Sequence, residues 1–413
     1  MPRTQVEPCR RIAAVVIPSP WHRRGIVAMS DTEMDDAELT VPNLSNPEVV
    51  DKFKAAADMA NRALAVVVAA AVPGAVVVDL CTLGDQTLTD LAKTTYAKAH
   101  VDRGIAFPTC VSPNNICGHY SPLASDRSVV LKEGDLVKVD LGAQVDGLIA
   151  TAGHSFVCTA NPQQQFTGPI ADVICAAHFA GECVLRMCRP GKTSTEIAQV
   201  VQDVAEVFKC KALQGVSSRR MLRDDLLGDK EIVNQPSKDQ KVDEIVIEEN
   251  EVYSIDIIMS TGTGESKDSE ERATVYRRTS EQVFLKMKAS RALLGEATRK
   301  FGNHAFTLRA FEDENKALLG VKECLNNRLL DPFPVFYEKD GVLTAQFKFT
   351  VLILKGSIQR ITAHPLPFVS SEYSITEPRL LSILNMGTKR KNAKKRRKKK
   401  PAAAAPDKME VDA

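Results

Sequence analysis

The sequence predicts an α+β fold in which one α/β unit occurs twice in tandem, followed by a helical insertion and a last strand. Three observations predict it. Val129–Asp140 (VVLKEGDLVKVD) can be laid over Ile245–Asp256 (IVIEENEVYSID) at a constant offset of 116, so that a glutamate, an acid two places on, an alternating apolar strand and a terminal aspartate coincide. Segments with helical periodicity precede each copy. A charged helical stretch, about 280–335, separates the second copy from an amphipathic strand at Val342–Leu354. A repeat this long is a duplicated half-domain and not a solenoid unit. Two halves on one sheet bring Asp140 and Asp256 together.

Each element has its own local reason. Ser45-Asn46-Pro47-Glu48 is a capping box with proline near the first helical position. Val49, Phe53, Ala57, Ala60, Leu64 and Val67 follow at helical spacing, which predicts a helix over 46–71 that stops at Pro73-Gly74. A second helix is expected over 85–99. Residues 104–160 read as short strands with turns at Pro113-Asn114-Asn115, Glu133-Gly134 and Asp146-Gly147. Helices are expected over 168–188 and 194–209; Thr193-x-x-Glu196 caps the latter, and Ile197, Val200, Val204 and Phe208 form its stripe. In the last strand Leu343, Ala345, Phe347, Phe349, Val351 and Ile353 share one face, and Gln346, Lys348 and Thr350 the other. The domain plan is a disordered extension over 1–44, a folded body over 45–385 and a disordered basic tail over 386–413.

Of the 413 residues, 44% are hydrophobic and 26% charged, which suits a globular protein and excludes wholesale disorder. No apolar run reaches the ~18–20 residues of a membrane-crossing helix, so no membrane insertion is expected. The net charge of +2 conceals a separation. Residues 389–400 (KRKNAKKRRKKK) hold ten basic groups: Lys389, Arg390, Lys391, Lys394, Lys395, Arg396, Arg397, Lys398, Lys399 and Lys400. Residues 1–28 carry +4 and residues 401–413 carry −2, which leaves −10 for 29–388. A block of like charge at the end of an acidic body reads as a solvated polyanion contact and a signal for a nuclear importer. Residues 1–28 read as a transit-type leader or as an extension ahead of a second start at Met29. Ten cysteines without a CxxC pair fit a reducing compartment.

The segments GIAFPTCVSPNNICGHYSP (Gly104–Pro122), EGDLVKVDLGAQVDGLIA (Glu133–Ala150), AFTLRAFEDENKALLGVKECLNNRLLDPF (Ala305–Phe333) and LTAQFKFTVLIL (Leu343–Leu354) resemble the proliferation-associated, ErbB-receptor-binding protein family. The resemblance spans roughly 45–385. It implies the pita-bread fold of the type 2 methionine aminopeptidases, with 280–335 similar to their helical insertion. Active enzymes of that fold hold two divalent metals on Asp, Asp, His, Glu and Glu. The resemblance places these positions on Asp140, Thr151, Val216, Asp256 and Lys348. Lys348 puts an ammonium where the metals would sit, so a structural ion pair of Lys348 with Asp140 and Asp256 is expected, with no metal, no cofactor and no catalysis. A working metal-dependent methionine aminopeptidase is the competing reading.

His119 matches a substrate-positioning histidine of those enzymes and reads here as a hydrogen-bonded remnant of the old cleft. His154 and His178 read as satisfied or exposed. No RNA-recognition signature, glycine-rich phosphate loop or zinc knuckle is present. Nucleic-acid contact therefore falls to backbone electrostatics, with Arg219-Arg220-Arg223, Arg272 with Arg277-Arg278, Lys286, Lys288, Arg291 and the tail as the basic clusters. Leu380-Leu381-Ser382-Ile383-Leu384 resembles the family's short co-regulator motif with isoleucine in place of one leucine; a helix packed on the body is the simpler reading. The resemblance implies RNA and large-ribosomal-subunit partners and roles in ribosome biogenesis, rRNA processing, translation and transcription. It also implies transcription co-regulators or a receptor tail as further partners, and residence in cytoplasm and nucleus, including the nucleolus.

Overall fold

The computed structural model describes residues 41–126, 129–161, 163–236, 243–269 and 272–389. The extension through residue 40 and positions 390–413 of the basic tail lie outside the described residues. The first half runs α1 (Pro47–Ala70), α2 (Val77–Thr94), β1 (Arg103–Pro113), β2 (Ile116–Gly118), β3 (Leu136–Val145) and β4 (Leu148–Val157). The second runs α3 (Pro169–Met187), α4 (Ser194–Val207), β5 (Lys211–Ala212), β6 (Ser217–Arg220), β7 (Glu231–Val233), β8 (Glu251–Ser260), β9 (Lys267–Asp268) and β10 (Val275–Arg278). The insertion holds α5 (Lys288–Phe301), β11 (Phe306–Thr307), α6 (Glu314–Asn326) and β12 (Leu330–Phe333). The chain closes with β13 (Phe336–Tyr337), β14 (Thr344–Leu354), β15 (Ser357–Arg360) and α7 (Pro378–Leu384).

The main sheet has the order β1-β3-β4-β14-β8-β6-β7, with β15 beside β14 and β5 beside β8. The two halves therefore share one sheet, and their long strands meet at its centre. Val139 and Leu141 of β3 join α1 and α2 in one apolar cluster. Ile255 and Ile257 of β8, with Phe347 and Phe349 of β14, join α3 and α4 in another. Because side chains alternate along a strand, Asp140, Lys348 and Asp256 all fall on the opposite face of the sheet.

The duplication is visible in the backbone. Gly74 N–H donates to Leu131 O, Leu131 N–H to Ala75 O, and Val77 N–H to Val129 O. Gly191 N–H donates to Ile247 O, Ile247 N–H to Lys192 O, and Ser194 N–H to Ile245 O, which is the same trio one repeat later. The turn before each paired strand needs a left-handed residue: Gly134 has φ +87° and Asn250 has φ +71°, the two residue types that reach this region most cheaply. That pairing also starts α2 at Val77, eight residues before the position expected. Its N-cap, Val76, offers no side-chain hydrogen bond, so the start carries no capping signal. The strands expected to be short in 104–160 are long: β3 and β4 run ten residues each.

The body also extends beyond its expected limits. Leu44 is buried and its N–H donates to Asn250 Oδ1. At the other end Thr388 O accepts from Ile358 N–H, and Lys389 pairs with Ser357 of β15. In α7, Leu380 and Ile383 are buried against the α3 side of the core. The insertion has its own core of Leu285, Leu293, Ala297, Phe306, Val321 and Cys324. Arg309 fixes it to the body, with Nη2 2.6 Å from Asp85 of α2 and Nη1 donating to Pro122 O. No helix among the described residues is long and apolar enough to cross a membrane.

Candidate functional site

Sheet register builds the site. Asp140 pairs with Gly153, Gly153 with Lys348, and Lys348 with Asp256, so four neighbouring strands present these positions in one row. Gly153 is the gap in the row. A Cβ there would stand 2.8 Å from Lys348 Cβ, closer than real side chains approach. With glycine, the Lys348 arm crosses β4, and Nζ lies 2.9 Å from Asp140 Oδ2 and 3.3 Å from Asp256 Oδ2. Gln346 Nε2 donates to Asp256 Oδ1 at 2.8 Å, and Asn234 Nδ2 donates to the Asp256 carbonyl. Lys348 Nζ also lies 5.3 Å from the Phe107 ring centre, a cation–π distance.

All three side chains are largely withdrawn from water, and burial disfavours the charged forms of Asp140 and Lys348. Burial pushes the Asp140 carboxyl up, to about 6, against the pull of Lys348. On Lys348 burial opposes the charge, but Asp140 and then Asp256 outweigh it and hold the ammonium above its ordinary range. Lys348 therefore keeps its proton at neutral pH.

Thr151 lies two residues before Gly153, in a buried hydroxyl layer. Its Oγ1 is 2.7 Å from Ser254 Oγ, its N–H donates to Thr350 Oγ1, and Thr362 Oγ1 donates to its carbonyl. Val216 packs partly buried beside Leu213, Ile258 and Phe336. It lines a cleft of about 380 Å³ together with Phe107, His119, Phe333, Phe336, Asp256 and Lys348. His119 has φ +61° and sits edge-on to Phe333 and Phe336, 5.5 and 5.2 Å away. Burial, and then the positive Lys348, lower its pKa to about 4. The ring is therefore neutral, and Nδ1–H donates to Pro334 O at 3.0 Å. His154 is buried on Phe156 and 4.5 Å from the His364 ring. His178 is edge-on to Phe347.

Sequence reading missed a second buried lysine. Lys138, 1% exposed, donates to the carbonyls of Asn114 and Thr344 at 2.8 and 2.9 Å. Burial lowers its pKa to about 7. Its place in an otherwise polar-and-apolar alternating strand gave no sign of those partners.

The model for metallopeptidase family M24 matches residues 51–267. ERBB-3 BINDING PROTEIN 1 of Arabidopsis thaliana is 43% identical over 366 residues, covering 88% of this chain and 91% of its own length. Proliferation-associated protein A of Dictyostelium discoideum is 40% identical over 367 residues, 87% of this chain and 95% of its own. The chain belongs to the ErbB-3-binding, proliferation-associated branch of the M24 family. A further relative, Curved DNA-binding protein of Schizosaccharomyces pombe, is 35% identical over 375 residues, 89% of this chain and 98% of its own. Among solved structures, a thermophilic Arx1 superposes with a TM-score of 0.79 at 28% identity over 84% of this chain and all of its own. Methionine aminopeptidase from Thermotoga maritima superposes with a TM-score of 0.51 at 19% identity over 77% and 98%, which shows the shared pita-bread fold.

That fold family implies a dinuclear metal centre, and the donor set here does not fit one. The ammonium of Lys348 stands between Asp140 and Asp256, holding one oxygen of each and putting a positive charge where a cation would sit. Thr151 is committed to hydroxyl and backbone partners, and Val216 offers no donor. Among the described residues no three His, Cys, Asp or Glu side chains converge as a metal site.

The basic clusters need correction. Arg219 pairs with Glu231, Arg220 with Asp229 and Glu251, and Arg223 with Asp146. Arg272 pairs with Asp126, and Arg277 with Asp225 and Asp331. These charges are offset within the fold. On the insertion Glu296 pairs with Lys300, while Glu314 accepts from the backbone of Ala124 and Ser125 and Glu323 from that of Lys286 and Met287. Lys286, Lys288, Lys316, Lys322 and Arg328 stand exposed there.

Proposed function

We propose that this chain is a non-catalytic M24-fold protein that works by binding RNA and the large ribosomal subunit, in ribosome biogenesis, rRNA processing and control of translation. The observation that carries the non-catalytic half is the Lys348 ammonium held between Asp140 and Asp256, where the chemistry of the fold needs cations on carboxylates. The binding half is supported by the ten basic groups of 389–400, by the exposed lysines of the insertion, and by the name of the Schizosaccharomyces pombe relative, which binds DNA by that name. The names of the Arabidopsis and Dictyostelium relatives support a receptor tail as a further partner and a role in growth control. Under this reading the basic run is also read by a nuclear importer, so the protein divides between cytoplasm, nucleus and nucleolus.

The test is co-sedimentation of purified full-length protein with large ribosomal subunits, and titration with structured RNA, across a salt series. Affinity should fall steeply with salt, because each neutralised phosphate releases a counterion. Failure to co-sediment or to bind RNA at low salt would leave the reading unsupported. Steady release of methionine from peptides would favour an active aminopeptidase instead.

A further inference from the structure

Residues 282–287 lie in a loop ahead of α5 and carry the most exposed aromatic ring of the described chain. Phe284 is 85% exposed, with Val283 and Met287 also open to solvent, while Leu285 between them is buried in the insertion core. The loop is clamped. Both oxygens of Glu323 accept backbone N–H groups, from Lys286 and Met287 at 2.8 and 3.0 Å. Arg291 Nη1 donates to the carbonyls of Leu285 and Lys286, both at 2.8 Å. An exposed phenylalanine on a loose loop would be unremarked; here donors and acceptors hold the backbone from both sides and present the ring. Exposed Lys286 and Lys288 follow it in sequence and exposed Glu281 precedes it, and on the clamping helix α6 exposed Leu319 lies one turn before Glu323.

We infer that this loop is a stacking platform for an unpaired nucleotide, with Phe284 under the base and Lys286 and Lys288 along the backbone. The inference rests on the RNA-binding reading and assigns it a folded contact separate from the tail. The chemistry favours a nucleic acid over an apolar protein groove. A protein partner would need the cationic rim desolvated or matched by carboxylates, whereas phosphates match it and every base offers a π-face. Stacking of one base is worth enough to shift affinity about tenfold or more.

The experiment uses full-length protein, a 12-nucleotide single-stranded RNA and the duplex of the same sequence. Phe284→Ala should bind the single strand about tenfold or more weakly, leave duplex binding and the salt slope unchanged, and melt like the parent, since the ring has no core contact. Phe284→Trp should keep the affinity, and its fluorescence should be quenched by the single strand and not by heparin. Unchanged single-strand affinity in Phe284→Ala would overturn the inference. So would normal affinity for naked RNA together with loss from ribosomal subunits, which would make the occupant a protein. Failure of the parent to bind any RNA would instead overturn the RNA-binding reading on which the inference rests.

Discussion

Lys348 is the residue on which the account turns, and it gives two sharp expectations. Truncating it to alanine leaves Asp140 and Asp256 facing each other under burial, which should cost about 3–5 kcal/mol, the range for breaking a buried pair. Urea unfolding measures this, and adding Asp140→Asn and Asp256→Asn to the same chain should restore much of the loss. Gly153→Ala should also destabilise, by about 1–3 kcal/mol as overpacking does, because its Cβ meets Lys348 Cβ at 2.8 Å. The buried imidazole of His154 sets a pH dependence. Burial, then His364 and His178, lower its pKa to about 3 from 6.5, so the unfolded chain takes the proton first. The stability it contributes is present above pH 6.5 and is lost as pH falls toward 3, at about 1.4 kcal/mol per pH unit. Asp140, raised to about 6, has the opposite sign below pH 6. His154→Phe isolates the histidine: between pH 6.5 and 5 its unfolding free energy should fall less than the parent's by about one proton's worth of slope.

At the scale of elements, α7 offers a contrast between neighbours. Leu380 is fully buried and Leu381 is exposed. Leu380→Ala should cost about 2–5 kcal/mol, and Leu381→Ala should fall within ~0.5 kcal/mol of zero, as read by thermal or urea unfolding. A co-regulator that reads the apolar face of this helix would have to unseat it first, because Leu380 and Ile383 already pack on the body. The sequence disclosed those features whose cause is local or repeated. The 116-residue offset exposes β3 and β8, alternation exposes the polar face of β14, and Thr193-x-x-Glu196 exposes the start of α4. Features set by distant partners were hidden. Arg277 meets Asp225 and Asp331 across the fold, α2 begins where Val77 N–H finds Val129 O, and Gly153 matters only because Lys348 crosses it. A cluster of arginines looks the same in a sequence whether its carboxylates are absent or merely far away along the chain.

At the scale of the whole molecule, the proposed binding rests on the exposed lysines of the insertion and on the basic run of 389–400. Deleting residues 390–400 should move the protein from nucleus and nucleolus toward cytoplasm, seen by imaging a tagged chain, while its melting is unchanged, since the deletion keeps Lys389 and its pairing with Ser357. The same deletion should flatten the salt dependence of RNA binding by about four to five log–log units if about six phosphates are met, without abolishing docking of the folded surface. The central claim, that an ion pair stands where the fold's metal chemistry would be, has a more direct test. Full-length protein is incubated with excess zinc, cobalt or manganese, freed of unbound ion, and analysed for bound metal while methionyl peptides are assayed. The account predicts no stoichiometric metal and no metal-dependent release of methionine from the parent; two metals per chain with turnover would contradict it.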